Sequence, residues 1–205
     1  MPGLEFRPAA AHEQQLVADL VFGAPGQLGR QVNSAILGIA DSERLRPLFR
    51  AMWAGGGNWR QTALAVDDGA VVGLAQLGPS SAPVTAGVVL AALRAFGPRA
   101  VRLPRRLRVM DRVAVPKPEG ALLLSELHVA ADRRGAGVGG QLLEFVDRAA
   151  AAQGAPSIAL QTYTTNPARH LYERHGYEVF AEATDPEFER LTGIAGNVGY
   201  LKRLG

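Results

Sequence analysis

The sequence predicts an α/β fold on a sheet of mixed direction, and two patterns carry that prediction. Thr62–Val66 and Val71–Leu77 are apolar β-type runs joined by Asp67-Asp68-Gly69, which reads as a hairpin and therefore an antiparallel pair. Further on, the runs Leu122–Val129, Ser157–Thr162 and Tyr177–Ala181 are separated by helix-period segments, a strand–helix–strand–helix–strand order. A hairpin followed by that alternation gives strands of both directions in one sheet.

The elements follow in order. Leu4–Arg7 reads as a first strand and Ala11–Phe22 as a helix, closed by the turn Gly23-Ala24-Pro25-Gly26. A mostly polar stretch leads to a second helical segment, Ser42–Ala54, ended by Gly55-Gly56-Gly57. The hairpin comes next, then the loop Gly78-Pro79-Ser80-Ser81. Val88–Val113 is helical in pattern but broken at Gly97-Pro98 and at Pro104, where a missing N–H and a fixed φ interrupt the ladder. Pro116–Gly120 is a loop before the strand Leu122–Val129. The helix ending near Gln153 repeats Val138, Leu142, Phe145, Val146 and Ala149 at helical spacing, the face that covers a sheet. Asn166-Pro167 predicts an N-cap and first position of another helix, stopped at Gly176. Val198–Leu204 is a short last strand, read as exposed and able to pair between subunits in a homodimer.

At 205 residues the chain fits one domain with a full core. We read residues 1–120 as the acceptor-side half with a helical insertion and 121–205 as the ligand-binding half. No cysteine is present, so disulfides, cysteine nucleophiles and thiolate metal sites are excluded. The first residues have no apolar signal region, and the longest apolar stretch, Val84–Leu93, is too short to span a bilayer. A cytoplasmic location is expected. Histidines and carboxylates show no metal-ligand spacing, so no metal is expected.

Net charge is only +3, but its distribution is uneven. Arg94, Arg99, Arg102, Arg105, Arg106, Arg108, Arg112 and Lys117 face a single acid, Asp111, within Arg94–Lys117. Such a stripe suits phosphates, an anionic membrane or nucleic acid. The plain alternative is a solvated helix face with Leu103, Leu107, Met110 and Val113 packed beneath. Interleaved aromatics that would stack bases are missing.

Arg134-Gly135-Ala136-Gly137-Val138-Gly139-Gly140 is the most specific stretch. Strand, glycine-rich turn and helix start, in that order, present backbone N–H groups and a positive helix end to a pyrophosphate. A P-loop needs Lys-Ser/Thr after its last glycine, where Gln141-Leu142 stands. Gly135-x-Gly137-x-x-Gly140 matches a dinucleotide fingerprint by letters. Yet Ala130–Arg134 is too much chain for its tight turn, and no carboxylate ends the next strand to hold a ribose.

Glu126-Leu127-His128-Val129-x-x-x-x-Arg134-x-x-Gly137-x-Gly139 closely resembles the acyl-CoA loop of the GNAT superfamily of N-acetyltransferases. Asn166-Pro167-Ala168-Arg169-His170-Leu171-Tyr172-Glu173-Arg174-His175-Gly176-Tyr177 resembles that family's later segment, with Tyr177 in place of the commoner Phe. Together the motifs cover about Leu122–Phe180. The arginine-rich helical segment ahead of them is similar in layout to the puromycin N-acetyltransferase branch.

The resemblance implies a GNAT-like mixed, mostly antiparallel twisted sheet, with splayed central parallel strands flanked by helices. It implies acetyl-CoA as co-substrate, with pantetheine along Leu127, His128 and Val129. The pyrophosphate would meet Arg134, Gly135, Ala136, Gly137, Val138, Gly139 and Gly140, and Asn166 would reach the same ligand. Tyr172 stands at the family's position for the acid that protonates the departing thiolate. Glu126 is the candidate base for the acceptor ammonium. Strand alternation puts it on one face with Leu124 and His128, and His128 serves as base or caps the strand edge. His170 and His175 read as solvated. The acceptor is expected to be a primary amine, of a small molecule or a protein, with Gly23–Ser42 and Gly78–Pro118 as its walls. The few acids there favour a neutral or anionic one. A silent acyl-CoA-binding sensor and a dinucleotide-binding protein are the alternative functions.

Overall fold

A computed structural model describes residues 3–24, 26–56, 58–79 and 84–205. Pro25 of the expected turn, Gly57 of the glycine run and Ser80 and Ser81 of the expected loop lie outside the described residues.

Seven strands form one sheet: β1 (Glu5–Pro8), β2 (Thr62–Asp67), β3 (Ala70–Leu77), β4 (Leu122–Val129), β5 (Ser157–Tyr163), β6 (Glu178–Thr184) and β7 (Gly196–Arg203). Their spatial order is β1-β2-β3-β4-β5-β7-β6. Every neighbouring pair is antiparallel except β4 and β5, which run parallel. The expected hairpin is β2–β3, turned at Asp68, the one non-glycine residue with positive φ (49°) among the described residues, and at Gly69. The last strand corrects the expectation of a free edge. β7 begins two residues before Val198 and lies between β5 and β6, so its ladder groups are already paired. The edges belong to β1 and β6.

One sheet face carries α6 (Val138–Ala152) and α7 (Arg169–Arg174). Val138, Leu142, Leu143, Val146 and Ala150 of α6 are buried against Ala65, Ala75, Leu124, Ile158, Leu160 and Val198, with Tyr172, Tyr177 and Tyr200 closing the cluster. Gly73 of β3 must be small because a Cβ there would stand 2.9 Å from His128 O and 3.1 Å from Leu142 Cδ1.

The other face carries α1 (Gln14–Phe22) and α3 (Arg46–Gly56) over β2 and β3, where Val17, Ala18 and Trp53 bury Leu64, Val66 and Leu74. Over β5 lie α2 (Leu28–Leu37), α5 (Leu103–Arg112) and α8 (Pro186–Thr192), whose Val32, Ile36, Val109 and Phe188 pack with Val113, Ile194 and Tyr163. α4 (Ala86–Phe96) packs outside α3 through Ala91, Ala95 and Phe96. As expected, Gly97-Pro98 and Pro104 divide the long helical segment: a 3-10 turn, Gly97–Arg102, separates α4 from α5.

Two helices were not foreseen. α2 occupies the stretch read as polar; it starts without a side-chain cap, which hid its start, and stops at Gly38 in the left-handed region. α8 did announce itself. Asp185 accepts a hydrogen bond from Phe188 N (2.9 Å), Pro186 opens the helix and Gly193 closes it. In α5 the buried apolar residue is Val109, while Leu107, expected beneath, is 49% exposed. No helix among the described residues is long and apolar enough to cross a membrane.

Candidate active site

β4 and β5 pair only at Leu122–Ile158 and Leu123–Ala159, although both strands continue to Val129 and Tyr163. Beyond Leu123 the β5-facing edge of β4 has no ladder partner, and the two strands part there.

A bulge sets what faces the opening. Gln76 of β3 is paired with Glu126, but Leu77 with Leu124, so Ser125 is one residue too many on β4. Residues on either side of it therefore exchange faces. Leu124, Leu127 and Val129 turn to the α6 side and join its core. Glu126 and His128 turn to the other side, that of Leu74 and the fully buried Gln76. The expected grouping of Leu124 with Glu126 and His128 is thus half right: the bulge removes Leu124. Glu126 Oε2 and His128 Nε2 are hydrogen-bonded at 2.8 Å, each side chain about one quarter exposed.

Tyr163, at the end of β5, was missed by the sequence reading. Its ring stacks on Phe188 with centroids 6.3 Å apart. Burial pushes its phenol up to about 12, and the charge of Glu126 adds to the shift. An aromatic residue closing a strand two positions after Gln161, hence on the same face, was the available signal.

Tyr172 lies on the opposite side of the opening, in α7. It is buried among Tyr177 (6.0 Å between centroids) and Tyr200 (5.9 Å). Burial first, then the negative charge of Glu126, drives its phenol well above the ordinary tyrosine range. Its hydroxyl has no hydrogen-bond partner among the described residues. Tyr200 beside it is fully engaged, donating to Glu173 Oε1 at 2.8 Å and accepting from Arg169 Nε at 3.0 Å.

The turn from β4 to α6 is not the tight one of a dinucleotide site. A 3-10 turn, Ala131–Arg133, intervenes. Gly135 and Gly137 have φ of 79° and 82°, a region costly to residues with a Cβ. Gly137 is the N-cap of α6 and supplies no side-chain oxygen, so the first-turn N–H groups stay unmatched and point out of the helix end. Val138 is the first α6 residue and is buried beneath them, while Ala136 is exposed in the turn. Arg134 is exposed and donates Nε–H to Val129 O at 3.3 Å, which draws it back over the end of β4.

Gly139 and Gly140 have a different reason to be small. A Cβ on Gly139 would stand 3.0 Å from Leu171 Cδ2, and one on Gly140 2.8 Å from His175 Nε2. They let α7 approach α6. His175, expected in solvent, is half-buried in that contact, its Nδ1 bonded to Leu171 O at 2.8 Å. Asn166 does not cap α7 directly, whose N-cap is Ala168. Instead its Oδ1 accepts from Ala168 N (3.0 Å) and its Nδ2 donates to Thr162 Oγ1 (2.7 Å), tying the turn to β5. Among the described residues no cluster of His, Asp and Glu could hold a metal ion. An open cleft of about 560 Å³ beside α2, lined by Arg30, Ser34 and Gly38, contains none of these site residues.

Residues 106–179 match a family model described as an acetyltransferase (GNAT) domain. That stretch is thus similar to a GNAT acetyltransferase domain. The match takes in β4, the glycine turn, α6, β5 and α7, the elements that build the opening. Solved structures similar to the whole chain agree in fold. One is an acetyltransferase with a TM-score of 0.59 and 19% identity, covering 98% of this chain and 100% of its own. A PaiA N-acetyltransferase from Thermoplasma acidophilum, solved in complex with coenzyme A, gives 0.57 and 12%, covering 98% and 99%. An acetyltransferase of the GNAT family from Staphylococcus aureus Mu50 gives 0.53 and 13%, covering 99% and 100%. Among curated proteins none matches the chain. The mixed seven-stranded sheet with one parallel pair matches the fold of these acetyltransferases.

Proposed function

We propose that the protein transfers an acetyl group from acetyl-CoA directly to a primary amine of a small molecule. The observation that carries this reading is the parting of β4 from β5 beside the uncapped N-terminus of α6. The β5-facing edge of β4 beyond Leu123 suits the amides of pantetheine as an added strand along Leu127, His128 and Val129, with the Arg134 guanidinium leaving Val129 O for the ligand. The first-turn N–H groups from Val138 to Gly140, the turn at Gly135 and Ala136, and the Arg134 guanidinium suit a pyrophosphate. Asn166 holds the turn that brings α7 to the opening, and its amide retains one N–H for the ligand.

The thioester supplies an activated acyl carbon and a thiolate leaving group. The chain's own residues manage two protons. On the α2/α5/α8 side, the Glu126–His128 pair accepts the ammonium proton of the acceptor, leaving the neutral amine that can attack. Glu126 Oε1 keeps free lone pairs for this, while Oε2 holds His128. On the α7 side, the Tyr172 hydroxyl gives its proton to the departing sulfur. A tyrosine phenol is protonated throughout the neutral range, so the group enters the step carrying the proton it gives. Placing acid and base on opposite faces of the splayed strands keeps them from neutralising each other before the acyl group moves.

α2, α5 and α8 form the wall over Tyr163 and are where acceptor choice would lie. They fall within the expected walls, apart from α8. The direct test is thiol release from acetyl-CoA over a panel of primary amines. Release with at least one amine, lost in Tyr172→Phe, is expected. Acetyl-CoA binding without turnover of any amine would favour the silent sensor.

A further inference from the structure

We propose that the outer face of α4, together with the arginine-rich turn and helix that follow it, docks on an anionic membrane surface. α4 has no charged side chain before Arg94. Its inner side, Ala91, Ala95 and Phe96, packs against Phe22, Leu45 and Leu48. The opposite side is equally apolar and lies in water: Leu90 is 47% and Leu93 52% exposed, and the flanking Val84 and Val101 are 82% and 81% exposed. A helix that is apolar on all sides belongs in apolar surroundings, and this one has them on one side only.

The charge beside it identifies the occupant. Arg94, Arg99, Arg102, Arg105 and Arg108 are exposed, and none has a hydrogen bond or ion pair among the described residues. Several other arginines are engaged: Arg7 with Glu13, Arg46 and Arg50 with Asp19, Arg112 with Asp185 and Glu187, while the exposed Arg148, Arg174 and Arg203 stand singly on α6, α7 and β7. Arg106, within the same stretch, caps α2 through Ile36 O at 2.9 Å. No acid occurs between Arg94 and Arg108. A second copy meeting this face about a two-fold axis would bring like charges together. A nucleic acid would take the guanidiniums but leave Leu90, Leu93 and Val101 in water. A bilayer interface accepts both, apolar side chains at the acyl boundary and guanidiniums at lipid phosphates.

Vesicle flotation tests this with the full chain, using phosphatidylcholine vesicles and vesicles of phosphatidylcholine with about 30% phosphatidylserine, at roughly physiological salt. Binding to the anionic vesicles at least tenfold above the neutral ones is expected. Leu90→Ser/Leu93→Ser should weaken it about tenfold, as should Arg99→Gln/Arg102→Gln/Arg105→Gln. Cooperative thermal unfolding of each variant shows that it is folded. No binding to anionic vesicles overturns the proposal. Binding that the serine pair leaves unchanged and that duplex DNA competes away overturns it in favour of a polyanion site. Concentration-dependent dimerisation lost in the serine pair, with no flotation, overturns it in favour of self-association.

Discussion

Glu126 and His128 share one face of β4, joined by a 2.8 Å hydrogen bond between Oε2 and Nε2, because a bulge at Ser125 separates them from Leu124. Without that extra residue the strand's alternation would continue unbroken, and the pair would share its face with a core leucine. The bulge thus lets one short strand both pack against α6 and present a carboxylate to the opposite face.

If the pair acts as one proton acceptor, its members are not independent. Glu126→Gln should lower kcat by about 10²-fold, in the range typical of a lost general base. The double variant with His128→Gln should lose little more than the worse single variant, since residues acting as a unit are non-additive. Steady-state rates of the two single variants and the double variant check this. Fully multiplicative losses would mean that the two residues act separately.

Tyr172→Phe removes one oxygen from a buried ring held by Tyr177 and Tyr200. Ring packing survives, so stability and acetyl-CoA affinity should change little while kcat falls by about 10²-fold. The KM-against-kcat split from a saturation series reads this out. An unchanged kcat would remove Tyr172 from the chemistry.

Stability should fall at both ends of the pH scale for nameable reasons. At the acid end, Arg7, hydrogen-bonded at 2.7 and 2.8 Å, holds Glu13 at about 2 from its ordinary 4.5, helped by Ala10 N–H. A carboxylate depressed by folding contributes stability that is complete above 4.5 and lost as pH falls through about 2. At the alkaline end the sign reverses. Burial raises Tyr163 from 10.0 to about 12, so its contribution is complete below 10.0 and lost as pH rises through about 12. Urea unfolding across pH should show both limbs, with Arg7→Met flattening the acid one.

Most strands of the sheet were legible because each carried its own pattern, while the parting of β4 from β5 followed only from the family resemblance. The bounds of β4 match the sequence reading at both ends, and the Asp68-Gly69 turn fixed the hairpin. What escaped were features set by packing between distant segments. The bulge is a mismatch between β3 and β4, invisible in either alone. The closed position of β7 depends on β6 reaching it from beyond α7. Gly139 and Gly140 read as ligand glycines in the sequence, yet their small size is explained by Leu171 and His175 more than thirty residues away. Tyr163 gained meaning only once Phe188 and Glu126 stood beside it.

The central claim is that the uncapped end of α6, with the open edge of β4, takes a CoA thioester. Thermal unfolding of the wild type and Gly137→Val, with acetyl-CoA, desulfo-CoA and NAD in parallel, tests it most directly. At 100 times its Kd a ligand adds about 2.7 kcal/mol. Valine at a φ of 82° costs the unliganded protein about 1–2 kcal/mol, so its own cooperative transition shows that it still folds. Stabilisation of the wild type by both CoA species and not by NAD, abolished in the variant, is the predicted result. A wild type indifferent to acetyl-CoA would contradict the account at its base.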